Sequence, residues 1–301
     1  MVQKSFVQNI QSAITDEVFF ALGLSRRGIL RRSLGWVFGL PTKLFARHLA
    51  AADEAVAMGG TAAGCKKVLD LLSVKPIVRG QGNIPLDGPT IILCNHPGAY
   101  DSMAIGSQIY RKDLKAIVSL TRLYQSLPHI HPALFYVRDD GQDQMLVIKG
   151  VIDHLKNGGS ILQFGSGLIE PDPATHSVTD EVFAKWSPSL EIFLRKVPET
   201  QVVPTIASGV LLSKFLTHPL VRLRQDAMDK RRLAEFIQII QQLLFPTTIK
   251  ARPHISFGTP FLGSDLEAST NRRIMPAIIS RMKEAVEEHL EWLSNLEGDS
   301  V

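Results

Sequence analysis

Residues 91 to 101 read IILCNHPGAYD, from Ile91 to Asp101, and the interpretation of the whole chain turns on them. Thr90 to Cys94 is a compact apolar run, set off upstream by the turn residues Pro85, Asp87, Gly88 and Pro89, which is the pattern of a buried strand. Pro97 and Gly98 force a turn after it, and Asp101 falls where a helix can begin. The bend returns Asp101 towards His96.

The same texture continues downstream. Ala116 to Leu120, Leu134 to Val137, Ser160 to Phe164, Val202 to Ile206 and Ile255 to Gly258 are short β-rich runs. Helical periodicity covers Gln144 to Lys156, closed by Asn157, Gly158 and Gly159, and returns around Lys230 to Leu244 and Arg273 to Leu296. Strands alternating with helices require crossover connections, so the expected fold is α/β, with a mixed, largely parallel sheet flanked by helices. Upstream, residues 1 to 75 carry no alternating pattern and a single proline, Pro41, and are expected to form an N-terminal helical region. The expected division is therefore 1–75, helical, and 76–301, an α/β domain ending in helices.

The composition limits the function classes. A chain of 301 residues with 45% hydrophobic and 21% charged residues can bury a large core. Its net charge of +4 is too small to indicate nucleic acid as a partner. Cys65 and Cys94 stand far apart and outside any CxxC pattern, which suggests neither a zinc ribbon nor a disulfide framework and fits a reducing cytoplasm. Asp16 and Glu17 precede the brief apolar stretch Val18 to Leu24, the wrong order for a secretory signal. The longest apolar run, Val202 to Leu220, is broken by Lys214 and His218, so no spanning helix is expected. Between Gly28 and Phe45, Leu30, Leu34, Trp36, Val37, Phe38, Leu44 and Phe45 mix with Arg31, Arg32 and Lys43. Such a stretch suits either a membrane-interface anchor, with apolar groups in the acyl boundary and cations on headgroups, or a helix packed on the core.

The chemistry centres on His96 and Asp101. A carboxylate that accepts a hydrogen bond from one imidazole nitrogen fixes the tautomer and leaves the other nitrogen as a base near neutral pH. A His and an Asp with four residues between them form a weak signal alone, since a structural histidine satisfies the same spacing. The surroundings strengthen it. Asn95-His96 and Asp101 match the Asn-His, four residues, Asp signature of the glycerol-3-phosphate and 1-acylglycerol-3-phosphate acyltransferases. The lead-in VRGQGNIPLDGPTIILCNH resembles that family's approach to it. Phe135 to Arg138 is similar to a second family block, in which an arginine after a strand contacts the acceptor's phosphate. Phe164-Gly165-Ser166-Gly167 occupies the place of a third block, usually Phe-Pro-Glu-Gly-Thr-Arg, and Val202-Val203-Pro204 resembles a fourth. The resemblance spans about Pro76 to Phe261, with the four blocks in order.

It implies an acyltransferase that moves a fatty acyl group from an acyl thioester, acyl-CoA or acyl carrier protein, to a hydroxyl of a glycerolipid-type acceptor. His96 and Asp101 are then catalytic, with Asn95, Arg138, Gly165, Ser166, Gly167 and Glu170 as substrate-binding candidates. No metal or bound cofactor is implied. The partners are a lipid-like acceptor and the surface of a membrane, and the expected location is cytoplasmic and membrane-peripheral. The third block departs from the family pattern: Ser166 stands in place of Glu, and Leu168 and Ile169 in place of Thr and Arg. A phosphate-binding cation is missing there, while Glu170 lies four residues past the expected glutamate and Asp139 and Asp140 follow Arg138. The acceptor is thus open to being something other than a glycerol phosphate.

Gly165 to Gly167 either present backbone N–H groups to an oxyanion or make a tight strand-to-loop turn. Ser166 is no nucleophile elbow, since Phe164 and Leu168 replace the required glycines. Gly80-Gln81-Gly82 precedes a strand and lacks a third glycine, so it is no dinucleotide loop. His129 and His131 would share a face if they lay on a strand, without an acidic or Cys ligand at suggestive spacing. Arg222, Arg224 and Lys230 to Arg232 could line a phosphate-rich donor such as coenzyme A, or form a solvated helix face.

Overall fold

A computed structural model describes residues 2–21, 29–98, 100–138, 140–246, 248–249, 251–269 and 274–298. The chain forms two compact units. One gathers Met1–Lys75, Thr121–Pro132 and Leu211–Ala251, and the other Pro76–Leu120, Ala133–Val210 and Arg252–Val301.

The second unit holds a mixed sheet: β1 (Ile77–Arg79), β2 (Thr90–Cys94), β3 (Leu114–Ser119), β4 (Leu134–Val137), β5 (Ser160–Phe164), β6 (Gln201–Ser208), β7 (His254–Phe257) and β8 (Phe261–Leu262). The order is β1-β7-β6-β2-β5-β3-β4, with β8 paired to β6. β2 pairs in parallel with both β5 and β6, and among the described residues only β6–β7 and β6–β8 are antiparallel. The expected class, an α/β fold with a largely parallel sheet flanked by helices and with N-terminal helices, is the one observed. β2 is buried along its whole length, which explains its unbroken apolar run. Ile91, Leu93, Ile161, Val202 and Ile206 supply one face of a common core. Onto it pack Val151 and Leu155 of the helix Gln144–Lys156, and Leu190, Phe193 and Leu194 of Ser189–Lys196. Ile274, Ile278, Met282 and Ala285 of Ile274–Gly298 recur every three or four residues and complete that core.

At the N-terminal ends of the central strands, buried Arg111 donates to the Gly88 and Gly158 carbonyls and to Thr90 Oγ1 at 2.8, 2.7 and 2.9 Å. Its guanidinium also grips Asp113 through two bonds of 2.9 and 2.6 Å. Burial pushes the Asp113 carboxyl up, yet the Arg111 bonds and charge outweigh it and hold the group below its ordinary range. This cluster fixes the end of the sheet away from His96.

His289, on the last helix, is fully buried between Ser208 of β6 and Ser256 of β7, with ring nitrogens 2.8 and 2.7 Å from the two hydroxyls. Burial, then the charges of His254 and Arg79, bring its pKa down to about 3. The ring is therefore neutral in the folded protein, while in the unfolded chain it titrates near its ordinary 6.5. Between these values the unfolded state binds the extra proton, so acid favours unfolding. Stability attributable to His289 is intact at pH 7 and above and falls by about 2 kcal/mol by pH 5. Denaturant melts at the two pH values should show this fall, and His289→Asn, which keeps a donor and an acceptor but does not titrate, should flatten it; equal pH slopes for both proteins would refute the assignment.

In the helical unit, Ile10, Ala13 and Ile14 of Val2–Ala21 and Ala46, Leu49 and Ala52 of Ile29–Leu71 are buried at helical spacing, and the two helices pack together. Of the candidate stretch Gly28–Phe45, Gly28 lies outside the described residues, and side chains are described from Phe38 onward. Phe38 stands edge-on to Phe19 at 6.2 Å and tilted on Phe236 at 5.6 Å, so this ring packs inside the unit. Leu40 and Lys43 are exposed. His129 and His131 do not share a strand: the first lies in a turn after the helix Arg122–Gln125 and the second opens a 3-10 turn. The His129 ring meets Asp53 at 2.8 Å, and Asp53 also accepts the N–H groups of His129 and Ile130, so this carboxylate secures the loop to the helix Ile29–Leu71.

Candidate active site

In the sheet order, the chain leaves β2 for β3 on one side, while β5 leads to β6 on the other, so the C-terminal ends of β2, β5 and β6 form the topological switch point. Open α/β sheets bind ligands at that point. Three loops converge there: Asn95–Tyr100 after β2, Gly165–Asp172 after β5, and Gly209–Val210 after β6.

Backbone and buried polar bonds tie the loops together. Asn95 accepts the Ala207 N–H at 2.8 Å and donates to the Ala207 carbonyl at 2.9 Å, so its amide continues the β2–β6 ladder past the strand end. The Glu170 N–H donates to the His96 carbonyl at 2.7 Å, and the Gly165 N–H to the Cys94 carbonyl at 2.9 Å. The buried Tyr100 hydroxyl donates to the Val210 carbonyl at 2.7 Å, and Asp172 accepts the Gly209 N–H at 2.7 Å.

Within this frame His96 Nδ1 lies 2.7 Å from Asp101 Oδ2. The Asp101 side chain is fully buried, whereas that of His96 is 22% exposed. Oδ2 of Asp101 also accepts the Gly98 N–H at 3.1 Å, and Oδ1 accepts the Ser102 N–H at 2.5 Å. With N–H donors on both oxygens, the carboxylate is fixed as an acceptor, so Nδ1 of the neutral ring carries the proton and Nε2 is the basic nitrogen. The ring lies on Phe164, the last residue of β5, with centroids 4.3 Å apart at 26°. Pro97 and Gly98 make the bend, and Asp101 opens the helix Asp101–Gly106.

The loop after β5 is built for close approach. A side chain at Gly165 would collide with the Trp186 indole, at 2.1 Å, so only glycine fits there. The Ser166 hydroxyl donates to Glu170 Oε1 at 2.6 Å and accepts the Leu168 N–H at 3.1 Å. Burial pushes the Glu170 carboxyl above its ordinary range, against opposing pulls from the Ser166 hydroxyl, the His96 backbone, Trp186 and the His96 charge. Burial likewise pushes the Cys94 thiol well up, and Asp101 and Glu170 add to that effect, so Cys94 offers no thiolate nucleophile beside the site.

The candidate residues are thus distributed unevenly. His96 and Asp101 are in contact; Glu170 and Ser166 are paired to each other beside them; Asn95 and the Gly165 N–H are engaged in the sheet. Among the described residues, the N–H groups of Ser166 and Gly167 have no hydrogen-bond acceptor. Arg138 is not gathered in. It follows β4 at the sheet edge, three strand spacings or roughly 14 Å from β2. Its exposed guanidinium is bound to Asp140 at 3.0 and 3.2 Å, and this pairing raises its pKa while lowering that of Asp140. The sequence gives no role to Tyr100, one of the four unspecified positions between His96 and Asp101, nor to Asp172 or Trp186; all three enter the site through the convergence of the three loops.

No family model matches the chain, and no curated protein matches it. Among solved structures it is similar to the crystal structure of the 1-acyl-sn-glycerophosphate (LPA) acyltransferase PlsC from Thermotoga maritima, with 13% identity and a TM-score of 0.41, over 80% of this chain and 95% of that one. A likeness of that size carries no weight for the chemistry, which rests on the contacts around His96.

Proposed function

We propose that the protein is an acyltransferase that moves a fatty acyl group from an acyl thioester to the hydroxyl of a glycerolipid-type acceptor. One observation carries the reading: a partly exposed imidazole held through Nδ1 at 2.7 Å by a fully buried carboxylate, at the switch point of a largely parallel sheet. The acceptor hydroxyl gives its proton to His96 Nε2 as its oxygen attacks the thioester carbonyl. The C–O bond forms, the C–S bond breaks, and the proton returns to the departing thiolate. The N–H groups of Ser166 and Gly167 are the candidates to stabilise the oxyanion, since that of Gly165 is engaged. No covalent acyl-enzyme is needed, in keeping with the neutral Cys94 thiol.

With Arg138 tied to Asp140 and the third-block arginine absent, acceptors without a phosphomonoester belong in the test beside lysophosphatidic acid. No described helix is long and apolar enough to cross a membrane. The test is mass spectrometry of products formed from an acyl-CoA, or an acyl carrier protein, and a panel of lysolipids, alcohols and amines. Acylated product that depends on the acceptor is expected. Free fatty acid released regardless of acceptor would make the protein a hydrolase, and thioester binding without turnover would make it a binding protein; either result defeats the proposal.

A further inference from the structure

The Asp53–His129 pair does more than tie a loop to a helix. Oδ1 of Asp53 alone accepts both backbone N–H groups of that loop, those of His129 and Ile130, each at 2.9 Å. Oδ2 is left for the ring and meets His129 Nδ1 at 2.8 Å. The buried carboxylate is thus an acceptor on both oxygens, so the neutral ring carries its proton on Nδ1 and presents Nε2 as an acceptor. Half of the His129 side chain is exposed.

The ring opens onto a cavity of about 810 Å³ whose lining residues all belong to the helical unit. That size falls within the range of about 300–1,000 Å³ usual for small-molecule sites. One stripe of the helix Ile29–Leu71 forms the floor: Arg47, Ala50, Ala51 and Glu54 recur at helical spacing, and the two alanines leave the room. Phe6 and Val7 of the helix Val2–Ala21 add apolar wall, as does Pro128. The polar groups are sorted by character. At one end, His129 Nε2 and the exposed carboxylate of Glu54, next to Asp53 in the chain, are both acceptors. Arg47 stands two turns away, roughly 10 Å along the helix axis. It is exposed, and among the described residues it meets no carboxylate in an ion pair.

An acceptor end, an apolar middle and a cationic end are complementary to one kind of molecule. We infer that this cavity binds an aliphatic hydroxycarboxylate: its carboxylate meets the Arg47 guanidinium, its chain lies on Ala50 and Ala51, and its hydroxyl donates to His129 Nε2. A fatty acid without the hydroxyl offers nothing to Nε2, and an alcohol without the carboxylate leaves Arg47 in water. Glu54 sets the direction by repelling the carboxylate from the His129 end. The site uses no residue of the loops around His96 and does not rest on acyl transfer.

The experiment is isothermal titration calorimetry of the full chain with 8-hydroxyoctanoate, whose extended chain spans the same two turns, beside octanoate and 1-octanol. 8-Hydroxyoctanoate should bind about fivefold more tightly than octanoate, for one hydrogen bond, and at least about tenfold more tightly than 1-octanol, for a charge-assisted one. Arg47→Gln should abolish the preference over 1-octanol and keep that over octanoate, and His129→Phe should do the reverse. A pair that only anchors the loop would not divide the two preferences in this way. Ala51→Leu fills the cavity at a partly exposed position and should prevent binding of all three probes, with the melting temperature of the parent. No binding of 8-hydroxyoctanoate to the parent, binding unaffected by Ala51→Leu, or preferences that do not follow their two residues overturns the inference. His96→Ala should bind the probe as the parent does; loss of binding there would put the ligand in the acyl-transfer site and overturn the inference as well.

Discussion

His96→Ala is expected to lower acyl transfer by about a hundred- to ten-thousandfold, the usual contribution of a positioned general base. The fall should lie in kcat, with KM for the thioester little changed, because the imidazole is assigned to proton transfer rather than to holding the acyl chain. The substitution removes a partly exposed ring from the surface of Phe164, so the melting temperature should move by only a few degrees. His129 is the internal control. It has a carboxylate partner of the same kind, Asp53 at 2.8 Å, but that carboxylate also holds two backbone N–H groups of the 128–130 loop, and the pair belongs to the helical unit. His129→Ala should leave turnover within a few fold of the parent, whereas a His96→Ala protein with normal transfer, assayed on its true substrates, would show that the base has been misidentified.

The two dyads show where sequence reasoning succeeds and where it stops. His96 and Asp101 are close in sequence, and the intervening Pro97 and Gly98 announce a bend, so their meeting could be read from local geometry. Asp53 and His129 are separated by 76 positions, and no local pattern announces that contact. The strands follow the same division. Thr90–Cys94, Leu134–Val137 and Ser160–Phe164 are central or parallel strands of mainly apolar residues, and their limits coincide with the expected ones. β1 and β8, of three and two residues, exist through pairing with β7 and β6, which propensity cannot reveal. Glu170 was visible as a residue but not as an environment, since its raised pKa arises from burial created by the converging loops. Arg138 was visible as a cation after a strand. Its distance from β2 depends on the strand order, which no single segment encodes.

Asp101→Asn should lower turnover by roughly a hundredfold or more while preserving size and burial. The reason lies in the three donors around the carboxylate. Oδ2 accepts from His96 and from the Gly98 N–H, and Oδ1 accepts from the Ser102 N–H. An asparagine has one acceptor oxygen, so one of these sides must face its NH2 group. If the NH2 turns to Ser102, two donors oppose each other at a short buried contact, and the helix start at Asp101 is pushed away from His96. If it turns to His96, the NH2 donates to Nδ1, the proton moves to Nε2, and the ring no longer presents a base to the acceptor hydroxyl. Both arrangements reduce kcat, and both lower stability by about 1–3 kcal/mol, since the NH2 group faces the Ser102 N–H in the first and the Gly98 N–H in the second and leaves that donor unsatisfied. KM for the acyl thioester should stay within a few fold in either case, because Asp101 is fully buried and acts through His96. Steady-state kinetics of Asp101→Asn beside those of His96→Ala decide the point: if Asp101→Asn turns over as fast as the parent, the carboxylate does not set the tautomer, and the proposed route of the proton through His96 fails.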